Sequence, residues 1–237
     1  MKSSPDDPRI RRGMAAQLGR WRERINAGEQ PLGWKVGFGA PAAMQKLGIK
    51  APLIGFLTDR ARIATGSTVS LADWKKPVAE PEIAVHMGRD LAAGADLDTV
   101  KAAIAGLGPA IELADVDRPP EDVEQILAGN IYQRGIILGP CDVSRAGGAV
   151  EGLHGHIARN GNDFAQTSDP QAMTGELIDI VRHVADTLAD FGQTLRAGQI
   201  IIAGSIVPPL WVEAGEEIVF KLDPIGSVSI RFDGKKE

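Results

Sequence analysis

A chain of 237 residues with 43% hydrophobic and 24% charged residues has the profile of an ordinary globular protein, long enough to bury a core without covalent staples. A net charge of -5 argues against non-specific nucleic-acid binding, which needs clustered Lys and Arg. The one cysteine, Cys141, excludes an intrachain disulfide and a zinc site of four cysteines. A reducing cytoplasm fits this cysteine usage best.

The chain starts MKSSPDDPRIRRG, polar and charged, with no apolar h-region behind it. No apolar run approaches the roughly 20 residues of a membrane span. Over residues 8–28, Ile10, Met14, Leu18, Trp21 and Ile25 recur at steps of three and four and predict a helix with one apolar stripe. Asp6 or Asp7 is its expected cap and Gly28 its expected stop. A surface helix packed on the body explains this better than a nucleic-acid arm. The domain expectation is therefore a helical appendage over residues 1–30 and one catalytic domain over 31–237.

From residue 31, short β-type runs follow: LGWKVGF, PLIGFL, TVSLA, EIAVHM, PAIELAD, YQRGIILG, IIIAGSIV, EIVFKLD and SVSIRF. Gly, Pro, Asp and Asn separate them and supply turns. HGHIARNGNDFAQ reads as a hairpin turning at Asn160-Gly161. Three further helices are expected near 97–105, 121–128 and 175–192. Strands outnumber helices and do not alternate with them. The expected fold is α+β, a mainly β mixed sheet with peripheral helices, not a doubly wound one.

VAEPEIAVHM, residues 78–87, holds the main chemical signal. Side chains alternate across a strand, so Glu80 and Glu82 project from one face. Pro81 lacks a ladder donor, which places this part of the strand at an edge or a bulge. Like charges at this spacing repel unless solvent or a cation neutralises them. A third carboxylate, Glu112, interrupts the apolar run PAIELAD. Three glutamates in apolar strands are costly to desolvate unless paired or metal-bound. A lone charge in a strand usually marks a solvated face. Three with no comparable density of Lys or Arg point to a hard cation, Mg2+ or Mn2+ rather than zinc.

Lys35, in GWKVGFGAP, is the one charge in an apolar run. It is a snorkelling strand lysine or, with an acidic partner, a usable acid or base. Asp59, a turn residue beside Arg60, is that partner if the two strands are neighbours. The glycines around Lys35 have the wrong spacing for a dinucleotide fingerprint. Ser205 lacks the GxSxG surroundings of a nucleophile, leaving a hydroxyl for a ligand carboxylate. Asn130, in AGNIYQRG, is a helix terminus first and a polar ligand contact second. Of the four histidines, His183 reads as structural and His86 as core or near the acidic site. His154 and His156 read as hairpin decoration, with an H-x-H metal pair the less common alternative.

In their order, these segments resemble the hydratase/decarboxylase branch of the fumarylacetoacetate hydrolase-like superfamily. GWKVGFGAPAAMQKLGI with GFLTD, AEPEIAVHMGRDL, PAIELADVD and LRAGQIIIAGSIVPPLWVEAGEEIVFKLDPIGSVSIRF carry the resemblance, which covers nearly the whole chain. It implies a β-roll core of the fumarylacetoacetate hydrolase C-terminal-domain type. It implies Mg2+ or Mn2+ held by Glu80, Glu82 and Glu112, and a small-molecule 2-keto or 2-hydroxydienoate acid of aromatic catabolism as substrate. Lys35 paired with Asp59 would move protons, and Ser205 and Asn130 would hold the carboxylate. The implied activity is that of a hydro-lyase like 2-keto-4-pentenoate hydratase. The alternatives are a 4-oxalocrotonate-type decarboxylase, a non-catalytic partner subunit of such enzymes and a carbon–carbon hydrolase of fumarylacetoacetate type. The last wants a histidine ahead of the acidic cluster, and none precedes His86. A homo-oligomer is implied as well. AGNIYQRGIILG departs from the family's "aDnas.g.fvlG" segment, so the wall near Asn130 and the substrate identity are not carried over.

Overall fold

The computed structural model describes residues 7–234. Asp6 lies outside them; Asp7 is the cap, its Oδ1 accepting from the Arg9 N–H at 2.9 Å. In chain order the elements are α1 (Pro8–Asn26), β1 (Pro31–Gly37), α2 (Pro41–Leu47), β2 (Leu53–Thr58), β3 (Arg62–Ile63), β4 (Thr68–Ser70), β5 (Pro77–Met87), α3 (Leu97–Ala103) and β6 (Ile104–Asp115). They continue with α4 (Val123–Ala128), β7 (Gln133–Leu138), β8 (His154–Arg159), β9 (Asn162–Thr167), α5 (Leu177–Asp190), β10 (Ile200–Ser205), β11 (Leu210–Trp211), β12 (Glu217–Asp223) and β13 (Gly226–Asp233).

The larger sheet runs β2–β1–β10–β5–β6–β7–β3, with β11 also paired to β5. It is mixed: β1 lies parallel to β10 and β3 to β7, while the remaining pairs are antiparallel. The smaller sheet runs β4–β13–β12–β8–β9. It contains the expected hairpin, with Asn160 and Gly161 both at positive φ in the turn. The α+β architecture with helices outside the sheets is the one the strand-rich pattern predicts.

Apolar alternation builds the core. Trp34, Phe56, Ile83, Leu107, Ile111 and Phe220 are buried at its centre. The first helix buries Met14 and Leu18 in the same core. Its buried Gln17 donates from Nε2 to the Ile54 and Leu127 carbonyls, at 3.1 and 3.0 Å, tying α1 to β2 and α4. Gly13 permits that approach, since a Cβ there would stand 2.7 Å from the Leu127 Cβ.

Of the two settings expected for Pro81, an edge or a bulge, the structure shows the second. Pro81 does not lie at an edge, because β5 is interior, flanked by β6 on one side and by β10 and β11 on the other. The irregularity that Pro81 demands lies instead in the β10 ladder, whose register shifts between Ile202 and Ser205.

His183 is structural. It is buried in α5, its Nε2 lies 2.9 Å from the Pro52 carbonyl, and burial lowers its pKa. The unfolded chain therefore binds a proton near pH 6.5 that the folded chain does not, so stability falls as pH drops through that value. The substitution His183→Gln keeps a donor for Pro52 and removes the titration. Thermal melts from pH 8 to 5 are expected to show the wild type losing Tm relative to the variant below pH 6.5. Parallel curves would remove His183 as the source.

Candidate active site

The acidic constellation follows from strand register. Residues Glu80 and Glu82 share one face of β5, and Glu112 of β6 stands directly opposite Glu80. One carboxylate oxygen of each lies within 4.8 Å of the others. Glu82 and Glu112 are each 1% exposed, and Glu80 is partly exposed. Ser205 pairs with Glu82 across the β10 ladder. At the register shift Gly204 takes φ +99, which glycine tolerates without strain. Its N–H there donates to Glu82 Oε2 at 2.7 Å.

Lys35 reaches the cluster from β1, two strands from β5. Only 2% exposed, it donates from Nζ to Glu112 Oε1 and to the Ile131 carbonyl. That carbonyl is positioned by an unusual turn. Asn130, Ile131 and Tyr132 all have positive φ, at 57°, 52° and 61°. Such a conformation costs a non-glycine residue of order 1–3 kcal/mol and persists only where the surroundings hold it. The Asn130 amide provides that hold. Its Oδ1 accepts from the Phe56 N–H at 2.8 Å and its Nδ2 donates to the Phe56 carbonyl at 3.0 Å.

These contacts correct two expectations. Lys35 does not pair with Asp59. Although β1 and β2 are neighbours, Lys35 stands opposite Gly55, and Asp59 lies four residues further along, roughly 13 Å of extended chain. Asp59 is exposed and accepts from the Gln30 N–H at 2.9 Å. Asn130, expected as a ligand contact, instead has both polar atoms of its buried side chain bonded to Phe56 and is not among the residues lining the cavity.

Burial dominates the electrostatics. It pushes the carboxyl of Glu82 well above the ordinary range, and the neighbouring Glu112 and Glu80 push it further. Glu112 is raised to about 7 by burial, against the pull of Lys35. Glu80 is raised for the same reason, again moderated by Lys35. One ammonium group faces three carboxyl groups in a wall that penalises charge. An all-oxygen donor set with surplus negative charge fits a hard divalent cation.

Two members of the cluster, Glu80 and Glu82, floor a cavity of about 320 Å3, while the buried Glu112 is not among its lining residues. Lys35, Glu80, Glu82 and Ser205 line it, and so do residues that sequence reasoning missed: Phe38, Tyr132, Thr174 and Trp211. Ser205 Oγ donates to the Val207 carbonyl at 2.7 Å. The one available signal was Gly204, an isolated glycine in a strand pattern, which marks a bulge. The remaining histidines stay outside the cavity lining. His154 and His156 are exposed on β8 of the other sheet. His86 is partly buried, its Nε2 is without a partner among the described residues, and burial lowers its pKa.

Known proteins agree with this architecture. The chain is 28% identical over 221 residues to a 2-hydroxyhexa-2,4-dienoate hydratase of Comamonas testosteroni, covering 89% of this chain and 81% of that one. It is 27% identical to a 4-oxalocrotonate decarboxylase of Pseudomonas putida, with 89% and 81% covered. Among solved structures, the 4-oxalocrotonate decarboxylase of Pseudomonas putida G7, complexed with magnesium and adipate, superposes with a TM-score of 0.84. Its identity is 27%, with 91% of this chain and 83% of that one covered. The sequence profile of the fumarylacetoacetate (FAA) hydrolase C-terminal domain matches residues 33–233, and on that match the chain belongs to the fumarylacetoacetate hydrolase family.

Proposed function

We propose that this protein is a divalent-metal-dependent hydro-lyase acting on 2-hydroxydienoate and 2-keto acids. The carrying observation is the convergence of Glu80, Glu82 and Glu112 beside Lys35, with Glu80, Glu82 and Lys35 lining a largely apolar cavity. The three glutamates would hold Mg2+ or Mn2+, which supplies the positive charge that polarises an adjacent 2-oxo acid.

The chain's own residues then do the following. Gly204 N–H keeps the Glu82 carboxylate turned toward the cluster. Lys35, held between Glu112 and the Ile131 carbonyl, carries a proton at Nζ for ketonisation of the dienol. This replaces the Lys35–Asp59 relay, since Glu112 is the carboxylate in contact. Ser205 Oγ would turn from the Val207 carbonyl to donate to the substrate carboxylate. The apolar walls exclude bulk water, so that water adds at one face of the polarised double bond.

Decarboxylation uses the same dienolate chemistry, and the similar proteins named above include 4-oxalocrotonate decarboxylase of Pseudomonas putida. One observation favours hydration: among the described residues, Lys35 is the one cation lining the cavity, leaving none for a second carboxylate. The test is a product NMR panel with Mg2+, 2-hydroxypenta-2,4-dienoate and a 4-oxalocrotonate-type diacid. Formation of 4-hydroxy-2-oxopentanoate without CO2 release is the expected result. Release of CO2 from the diacid would replace the hydratase reading by the decarboxylase one.

A cytoplasmic homo-oligomer is the form we propose. The sheets end in open strands at β2, β3, β4 and β9, which self-association would cover. Among the described residues no helix is long and apolar enough to cross a membrane.

A further inference from the structure

The cavity has two chemically distinct ends, and the β5–β6 register separates them. The glutamate rung, Glu80 opposite Glu112, is followed two residues along by Val78 opposite Ala114. On the other side of Val78 stands Trp211 of β11. Directly paired residues present their side chains on the same face of a sheet. Trp211, Val78 and Ala114 therefore form one apolar rung across three adjacent strands, about 7 Å along the strand from the carboxylates. All three line the cavity. Val116 and Pro120 continue the same wall.

Trp211 is 55% exposed, one of the few large hydrophobic side chains on the surface. An indole left open at the rim of an apolar cavity has the chemistry of a platform for an apolar group. At the opposite end Lys35, the one lining cation among the described residues, is held by Glu112 and the Ile131 carbonyl. Among the described residues lining the tail end of the cavity none is a cation, so a second carboxylate would lose hydration against the apolar wall without gaining an ion pair inside the cavity. Lys75 and Lys76 line a separate neighbouring hollow that Trp211 shares. The cavity volume, about 320 Å3, is in the range that takes drug-sized ligands, roughly 300–1,000 Å3. That is more space than a five-carbon acid fills.

We infer that the site selects 2-oxo monocarboxylic acids with a bulky apolar tail, which lies on the Trp211–Val78–Ala114 rung, and that it rejects acids with a second carboxylate. The inference rests on the proposed 2-keto-acid function and names its substrate class. Trp211 is the specificity residue: it touches the tail and leaves the reacting end to the glutamates and Lys35.

The experiment is calorimetric binding to the full chain with Mg2+, using three probes with a common head. They are pyruvate with no tail to speak of, 2-oxo-4-phenylbutanoate with an aryl tail, and 2-oxoglutarate with a charged one. The aryl acid is expected to bind about tenfold or more tighter than pyruvate, from the apolar area it buries. The diacid is expected to bind no better than pyruvate. In the Trp211→Ala variant, aryl-acid affinity is expected to fall about fivefold or more while pyruvate stays within about twofold. Sedimentation is run on both proteins. Tight 2-oxoglutarate binding would overturn the inference while leaving the 2-keto-acid function standing. So would unchanged aryl affinity in Trp211→Ala, and so would a changed oligomeric state with unchanged affinities, which makes Trp211 an interface residue. Failure of all three probes to bind would remove the proposed function and this inference together.

Discussion

Replacing Glu82 by glutamine is expected to abolish tight Mg2+ binding and activity while raising the melting temperature of the metal-free protein. Glu82 is the most enclosed of the three carboxylates in electrostatic terms: burial and two neighbouring carboxylates all oppose its ionisation. Glutamine keeps an oxygen to accept from Gly204 N–H and nearly the same shape, but carries no charge. Loss of groups that merely support metal ligands weakens binding roughly 10–100-fold, and loss of a ligand is expected to exceed about 100-fold. The polarisation a metal supplies is worth several kcal/mol, so kcat/KM is expected to drop about 1,000-fold. The metal-free fold gains because a buried repulsion is gone. At one or two kcal/mol, the expected rise is about 2–8 °C. Calorimetry with Mg2+ and parallel melts read both effects. Undiminished Mg2+ affinity would sink the metal-centre proposal, and a lower Tm without metal would show that Glu82 holds the fold together instead.

The second large effect is expected for Lys35→Met. Removing one partner of a buried ion pair leaves the other charge uncompensated, at a cost of about 3–5 kcal/mol. Here the abandoned partner is Glu112, with Glu80 and Glu82 at hand. The metal-free variant is therefore expected to melt about 10 °C lower. Saturating Mg2+ should recover most of that loss, because it restores positive charge at the same place. Its affinity for the metal should hold or rise. Activity should not recover with it: loss of a proton carrier is expected to lower kcat about 100- to 10,000-fold. The split between restored stability and lost turnover distinguishes a proton carrier from a structural counter-ion. Full activity in the Mg2+-loaded variant would reduce Lys35 to the latter role.

Much of this site was visible as local pattern. Alternation put Glu80 and Glu82 on one face of a strand before any register was known. Glu112 stood out because it interrupts an apolar run where a charge is costly. The hairpin at Asn160-Gly161 and helix α5 were legible for the same reason: turn preference and a 3.6-residue apolar period are properties of a few consecutive residues. Pro81 was legible only in part. Its missing donor demanded an irregular ladder, which Gly204 supplies in β10, yet nothing local revealed that β5 has neighbours on both sides.

The amino-acid sequence by itself determined the α+β class, the facing of the acidic pair and the candidate set of oxygen donors. Only the tertiary structure decided which residues meet. It brought Glu112 opposite Glu80 and gave Lys35 to Glu112 rather than Asp59. It also committed Asn130 to Phe56, and set Trp211 beside Val78 at the rim of the cavity. The physical reason is that periodicity encodes which way a side chain points, through backbone geometry shared by neighbouring residues. Partners distant in sequence are chosen by strand order and register, which follow from burying all the apolar faces at once.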